Sequence, residues 1–321
     1  MEKIIGLNSL RFFSFLAIFL FHTTPYMEFG YLGVEFFFVL SSFLLTYLAL
    51  KEIELTNTFS RLNFFMRRAL RIFPLYYFIL IFSFYFLPII STYFGETPNL
   101  PQNQWLYWFL LSNYENSDCI FSLKFLWSIA VEEQFYLLFI ALSFLLIKNI
   151  RFLISLLILS YIIFIIIATN NNLSTYLNTF SYFPNFAFGM LGGYLFYKKK
   201  DFLFLFELIF FASLIGTILL KEYRVLNIFI PLLFACTILI TVKYASFIKS
   251  NILFKITEKL GKYTYGLYVY SGLVIIFVSK MDFIKNEFVK GLFEFFLLLL
   301  IAFLSYHIYE KQFLKFKKHF R

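Results

Sequence analysis

Residues 7–26 read LNSLRFFSFLAIFLFHTTPY. The run is long enough to cross a bilayer, which takes about 20 mostly apolar residues. It nonetheless carries Arg11 and His22, and an ionisable group inside a span is costly. Eleven residues make about three helical turns, so both groups project from nearly the same face, roughly 16 Å apart along the axis. One helix thus holds a guanidinium near one membrane surface and an imidazole near the other. The rest of the chain reads as the housing of that pair.

Of the 321 residues, 14% are charged and 61% hydrophobic, with mean hydropathy +0.80. Soluble domains carry roughly 25% charged residues, so the composition excludes that class. The apolar segments are long and do not alternate, which argues for membrane helices and against a membrane barrel. The fold class is therefore all-α: a polytopic integral membrane bundle, with residues 1–321 forming one transmembrane domain. Ten spans are predicted, at about 7–26, 30–50, 72–94, 125–147, 151–169, 182–197, 202–220, 226–245, 263–279 and 290–309. The aromatic stretch 104–112, QWLYWFLLS, is too short to span and suits the interface or a re-entrant position. No cleavable signal is evident at the first span. Cys119 and Cys236 fall in a loop and a span, so no disulfide and no metal site are expected.

The formal charge of +10 is a matter of placement. With the N-terminus on the cytoplasmic side, 21 of the 28 Lys and Arg fall on inside segments. Six fall outside: Lys124, Lys221, Arg224, Lys280, Lys285 and Lys290. The bias orients both termini to the cytoplasm. The basic excess is then a topology signal, with attraction to membrane lipid headgroups second and no nucleic-acid partner. The expected location is the inner or plasma membrane, multi-pass.

The same topology sets depths. Arg11 lies near the cytoplasm, with His22, Glu35, Glu132 and Glu133 in the outer half. Carboxylates in hydrocarbon face the bundle interior and pair with one another or with a base. Adjacent residues are about 100° apart on a helix, so only one of Glu132 and Glu133 can face His22. Arg68 and Arg71 share one face of span 3 at its cytoplasmic end, and guanidinium is the preferred fork for phosphate. The competing readings are plain: topology anchors for the arginines and an interfacial polar residue for His22. A carboxylate-oriented histidine is also a general base suited to near-neutral pH. The layout fits a phosphate-bearing donor whose reactive end reaches His22, and it fits a proton-coupled transporter; spacing and depth do not separate the two.

Seven blocks in order resemble the membrane-bound acyltransferase 3 family. They are LNSLRFFSFLAIFLFH with its Arg11–His22 spacing, GVEFFFVLSSFLL from Gly33, RRALRIFPLYY from Arg67, FLWSIAVEEQFYLL, NFAFGMLGGYL from Asn185, GKYTYGLYVY from Gly261, and LSYHIYEKQF from Leu304. The chain departs from the family at Ser42, where glycine is usual, and at Ser271, where histidine is frequent. Gln312 also lies beyond Glu310 where proline often follows closely. Eleven residues follow Glu310, so the stand-alone type is expected.

The resemblance implies O-acyl transfer, most often of acetyl, from cytoplasmic acetyl-CoA or another acyl-CoA to a glycan or lipid-linked sugar hydroxyl outside. It implies His22 as the residue that activates the acceptor or carries the acyl group, with Glu132 or Glu133 orienting it. Arg11, Arg68 and Arg71 would bind the CoA phosphates, while Glu35, Trp127, Ser128 and Tyr136 would support the site. The acyl-CoA is a co-substrate, and no permanently bound cofactor is expected. The alternative function is a conduit that passes acyl groups or protons to a separate transferase.

Overall fold

In a computed structural model of the chain, residues 4–93, 95, 97–115, 119–199, 203–219, 228–281 and 286–320 are described. Lys3, Lys200, Lys221, Arg224, Lys285 and Arg321, which enter the charge count above, and the span-end residues Phe94, Phe202, Leu220, Leu226 and Asn227 lie outside them. Among the described residues all regular structure is helical. The helices are α1 (Leu7–Thr23), α2 (Leu32–Thr56), α3 (Arg61–Ile81), α4 (Leu87–Tyr93), α5 (Gln104–Trp108), α6 (Phe121–Lys124), α7 (Leu126–Ala141), α8 (Ser143–Asn170), α9 (Phe183–Tyr197), α10 (Leu203–Leu219), α11 (Phe229–Ile248), α12 (Ile252–Leu260), α13 (Thr264–Ser279), α14 (Glu287–Ser305) and α15 (Lys311–Lys315). Among the described residues, helix covers most of each predicted span. Five are long and apolar enough to cross a membrane: Glu28–Thr56, Arg61–Tyr93, Lys148–Asn170, Phe229–Ile248 and Glu287–Phe320. Leu7–Thr23, Leu205–Ile218 and Thr264–Ser279 are shorter apolar helices.

Local chemistry explains the breaks. Asn57 ends α2 in the left-handed region, φ 56°, which asparagine tolerates better than most residues. The Ser60 side chain then accepts from Asn63 N and starts α3. Pro88 lacks a backbone donor, and a π-turn over Phe82–Phe86 joins α3 to α4 just before it. The predicted gap between spans at 148–150 appears as a kink in α8 at Asn149, φ −159°. There the Asn149 side chain accepts from Phe152 N at 3.1 Å and restarts the helix. The stretch 104–112 holds α5, a helix of five residues, and the start of a 3-10 turn at Ser112.

The chain divides into two compact units, the first being Met1–Ser14, Tyr31–Phe59 and Ala141–Lys262. Its core packs Leu7, Phe36, Val39, Leu40, Phe43, Phe206, Ala235, Ile238 and Leu239. Helices α2 and α9 approach closely because Gly189 and Gly193 recur one turn apart. Small residues at that spacing let membrane helix backbones touch. A Cβ on Gly189 would fall 2.2 Å from Val39 O, and one on Gly193 2.4 Å from Phe43 O. Ser42 faces Gly189 and is fully buried. Its hydroxyl is satisfied by Phe38 O at 3.0 Å and Val39 O at 3.1 Å. Because the obstacles are backbone oxygens, Gly193→Ala is expected to destabilise the protein by roughly 1–3 kcal/mol. A detergent-solubilised Gly193→Ala variant that melts with the parent would refute the close packing.

In the same unit the start of α1 is held by a residue far along the chain. Glu258 Oε1 accepts from Gly6 N (3.0 Å), Asn8 N (3.2 Å) and Ser9 N (3.2 Å). These are donors that a helix N-terminus cannot satisfy internally, and the anion complements the helix dipole. Thr257 adds a 2.9 Å hydrogen bond to Ser9 Oγ.

The second unit comprises Phe15–Gly30, Ser60–Ile140 and Tyr263–Arg321. Phenols tie it together. Tyr76 donates to Tyr107 O (2.8 Å) and Tyr77 to Trp108 O (3.2 Å), fastening α5 to α3. Pro74 interrupts the hydrogen-bond ladder of α3. Around it, Tyr265 donates to Ile72 O (2.7 Å) and Tyr309 to Pro74 O (3.1 Å), bringing α13 and the end of α14 onto α3. Helix α14 continues through a π-turn, Tyr306–Glu310, into α15 and a final 3-10 turn, Phe316–Phe320.

Candidate functional site

In the second unit, α7 is the ruler along which the site is laid out. His22, near the end of α1, is exposed. Its ring lies 4.7 Å from the Phe125 ring and meets Phe121 edge-on at 5.5 Å. Phe125 immediately precedes α7 and is fixed from behind. Ser128 Oγ and Tyr268 OH share a 2.7 Å hydrogen bond, and both lie within hydrogen-bonding distance of Phe125 O, at 3.2 and 3.1 Å. Ser128 is therefore a positioning residue for the surface on which the imidazole rests. The adjacent Trp127 is half-buried.

Two turns further along α7 come the carboxylates. Tyr136 OH donates to Glu132 Oε1. Glu133 is buried, and its Oε1 makes no hydrogen bond. The cation within electrostatic reach of both is Arg68 of α3. Its guanidinium stands 5.8 Å from the centre of the Phe64 ring and 5.6 Å from that of Tyr136. Arg71, one turn on, is in reach of Arg68 and of the buried Glu310. Ser305 Oγ donates to Glu310 Oε1 at 3.2 Å and itself receives Tyr270 OH at 3.0 Å. Gln134, the remaining polar residue of the VEEQFY block, donates to Leu110 O (3.0 Å) and Asn113 Oδ1 (2.7 Å). That grip helps hold Leu110 at φ 58°, a strained value for leucine.

The structure thus joins Glu132, Glu133 and Tyr136 to Arg68, while Arg71 neighbours Arg68 and Glu310. No carboxylate is hydrogen-bonded to His22 among the described residues. From Phe125 to Glu132 is seven residues, about 10 Å of helical rise, so the sequence-derived depths compress a distance that α7 keeps open. The two remaining predicted residues lie in the first unit. Arg11 Nη1 donates to Asn8 Oδ1 at 3.1 Å. Glu35 is approached by Asn185 Nδ2 at 3.4 Å and by Tyr161. Helix α1 itself is unbroken from Leu7 to Thr23, so Arg11 and His22 do share one helix.

Sequence reasoning missed Glu258, Tyr268 and Glu310 as organisers. The phenols had a signal, since Tyr265 and Tyr268 are spaced by three on one face of α13. Among the described residues no group of three or more His, Cys, Asp and Glu is placed to hold a metal ion.

Residues 4–307 match the family described as an acyltransferase domain. The chain is 32% identical over 217 residues to the O-acetyltransferase OatA of Staphylococcus aureus strain NCTC 8325 / PS 47, and equally to that of strain COL. The match covers 61% of this chain and 36% of each relative, so the chain spans about a third of their length. No solved structure matches the chain.

Proposed function

This chain belongs to the acyltransferase 3 family and is a multi-pass helical membrane protein, and we propose that it is an O-acetyltransferase of the inner or plasma membrane. In this reading acetyl-CoA on the cytoplasmic side is the donor. A hydroxyl of an extracytoplasmic or lipid-linked glycan is the acceptor. The observation that supports it most is the layout along α7: an imidazole at its start, then, about 10 Å on, the Arg68 guanidinium facing two carboxylates, with Arg71 beside it. Arg68 and Arg71 would bind donor phosphate as bidentate forks, and Arg11 on α1 would do the same chemistry. The slender acyl-bearing arm of the donor then reaches along α7 towards His22.

The imidazole of His22 takes the proton of the acceptor hydroxyl while the oxygen attacks the thioester carbonyl. The C–S bond breaks, and the thiolate leaves with the proton returned by the imidazolium. The products are an ester and free CoA, so atoms and charge balance. Ser128 and Tyr268 act through Phe125, holding the platform beneath the ring. Glu132 and Glu133 compensate Arg68 in the apolar interior, where an unpaired cation would be costly.

The test is transfer of labelled acetyl from CoA to an added glycan by the purified protein in nanodiscs, with no gradient and no partner. Labelled ester on the glycan is the expected result. Absence of transfer until a second protein or a gradient is supplied would favour the conduit reading.

A further inference from the structure

Arg68 and Arg71 belong to a larger basic cluster, built partly from the turn Phe316–Phe320. The 3-10 turn Phe316–Phe320 lies on α3. Arg67 Nη1 donates to Phe320 O at 2.7 Å, a contact spanning 253 residues. Helix α15 also packs on α3. This docking carries Lys317, half-buried, into reach of Arg71, Arg68 and Arg67. Among the described residues the charged groups acting on Lys317 are cations, and none of those residues forms an ion pair with it. The nearby acids are engaged elsewhere: Glu310 faces Arg71, while Glu132 and Glu133 face Arg68. An ammonium held among three guanidiniums is unfavourable unless an anion joins it.

We propose that Lys317 and Arg67 complete a phosphate-binding site with Arg68 and Arg71, so that the C-terminal turn clamps a phosphate group of the acyl donor. This rests on the O-acetyltransferase reading. Arginines supply planar forks, whereas the lysine ammonium is a point charge that can contact an oxygen the forks leave open. The chemistry required of the ligand is a phosphate monoester or pyrophosphate. An anionic lipid headgroup would offer the same chemistry, and the test separates the two sources.

Acetyl-CoA and S-acetylpantetheine, which carries the same thioester without phosphates, are compared as donors in nanodiscs. The kcat/KM preference of the parent for acetyl-CoA is expected to shrink about tenfold to a hundredfold in Lys317→Met, the range for a lost hydrogen bond to a charged group. Lys317→Arg should keep most of the preference, and Lys311→Ala, an exposed residue of α15, all of it. A second readout is thermal melting. Without donor, Lys317→Met should melt higher than the parent, because it removes like-charge repulsion. Its gain in Tm on adding CoA should be smaller.

The measurements are repeated in discs of zwitterionic and of anionic lipid. An effect of Lys317→Met that appears only in anionic discs, with donor preference unchanged, identifies a lipid site and overturns the proposal. An unchanged preference in both disc types overturns it as well. If the parent itself neither transfers acetyl nor gains stability from CoA, the underlying functional reading has failed, which is a distinguishable result.

Discussion

A His22→Ala variant, present in the membrane at normal abundance, is expected to transfer acetyl about 10²–10⁴-fold more slowly than the parent, the usual contribution of a positioned general base. The residue is a clean target. It is exposed, at the end of α1, and its packing is against aromatic edges and faces that remain in place without it. The Phe125 platform is held independently by Ser128 and Tyr268, so truncation should not propagate into α7. His22→Phe would keep an aromatic contact and still lose the base, and should be as inactive as the alanine variant. Mass spectrometry of the glycan, with membrane abundance checked on the same sample, reads the outcome. Full acetylation in both variants would remove His22 from the mechanism.

Arg68→Ala should be the most destabilising single change in the second unit, at about 3–5 kcal/mol. Removing one partner of a buried ionic cluster leaves the others uncompensated. Here two adjacent carboxylates would remain, and one of them, Glu133, has an oxygen that already lacks a hydrogen bond. Arg68→Lys keeps the charge and gives up the planar fork. It should retain most stability while weakening CoA binding. Combining Arg68→Ala with Glu133→Gln removes one excess negative charge and should recover part of the lost stability, with donor binding still absent. Denaturation in detergent and calorimetric CoA titration separate these effects. Coincident melting of Arg68→Ala and the parent would show that the arginine does not compensate the glutamates.

Much of this was open to a reader of the residues alone. Arg11 and His22 declare themselves because ionisable groups in hydrocarbon are expensive, and α1 carries both as expected. The long apolar runs specify helices without tertiary information, and the Asn149 break sits where polarity rises between two spans. What could not be read was partnership. Depth counting placed Glu132 and Glu133 level with His22, because it treats a span as a ladder of heights and ignores how far a long arginine side chain reaches. Arg68, at the far end of its own span in that count, extends to both carboxylates. Glu258 is hidden for a different reason. The lysines of ILFKITEKL enter only the topology count, and the role of Glu258 depends on backbone amides some 250 residues upstream. Lys317 counted only towards topology, since nothing in a one-dimensional pattern shows that the chain end folds back onto α3.

The Glu258 contact has a consequence for biogenesis. Helix α1 leaves the ribosome well before the carboxylate that receives its leading amides, which follows roughly 250 residues later. At about 5–20 residues per second, that delay is on the order of 12–50 s. For this whole interval the start of α1 must be satisfied by water at the membrane surface. The start of α1 is therefore locked long after the helix itself has been made. Truncated chains that stop before Glu258 should insert α1 but leave its N-terminal amides open to hydrogen exchange, with protection arriving only once α12 has been made.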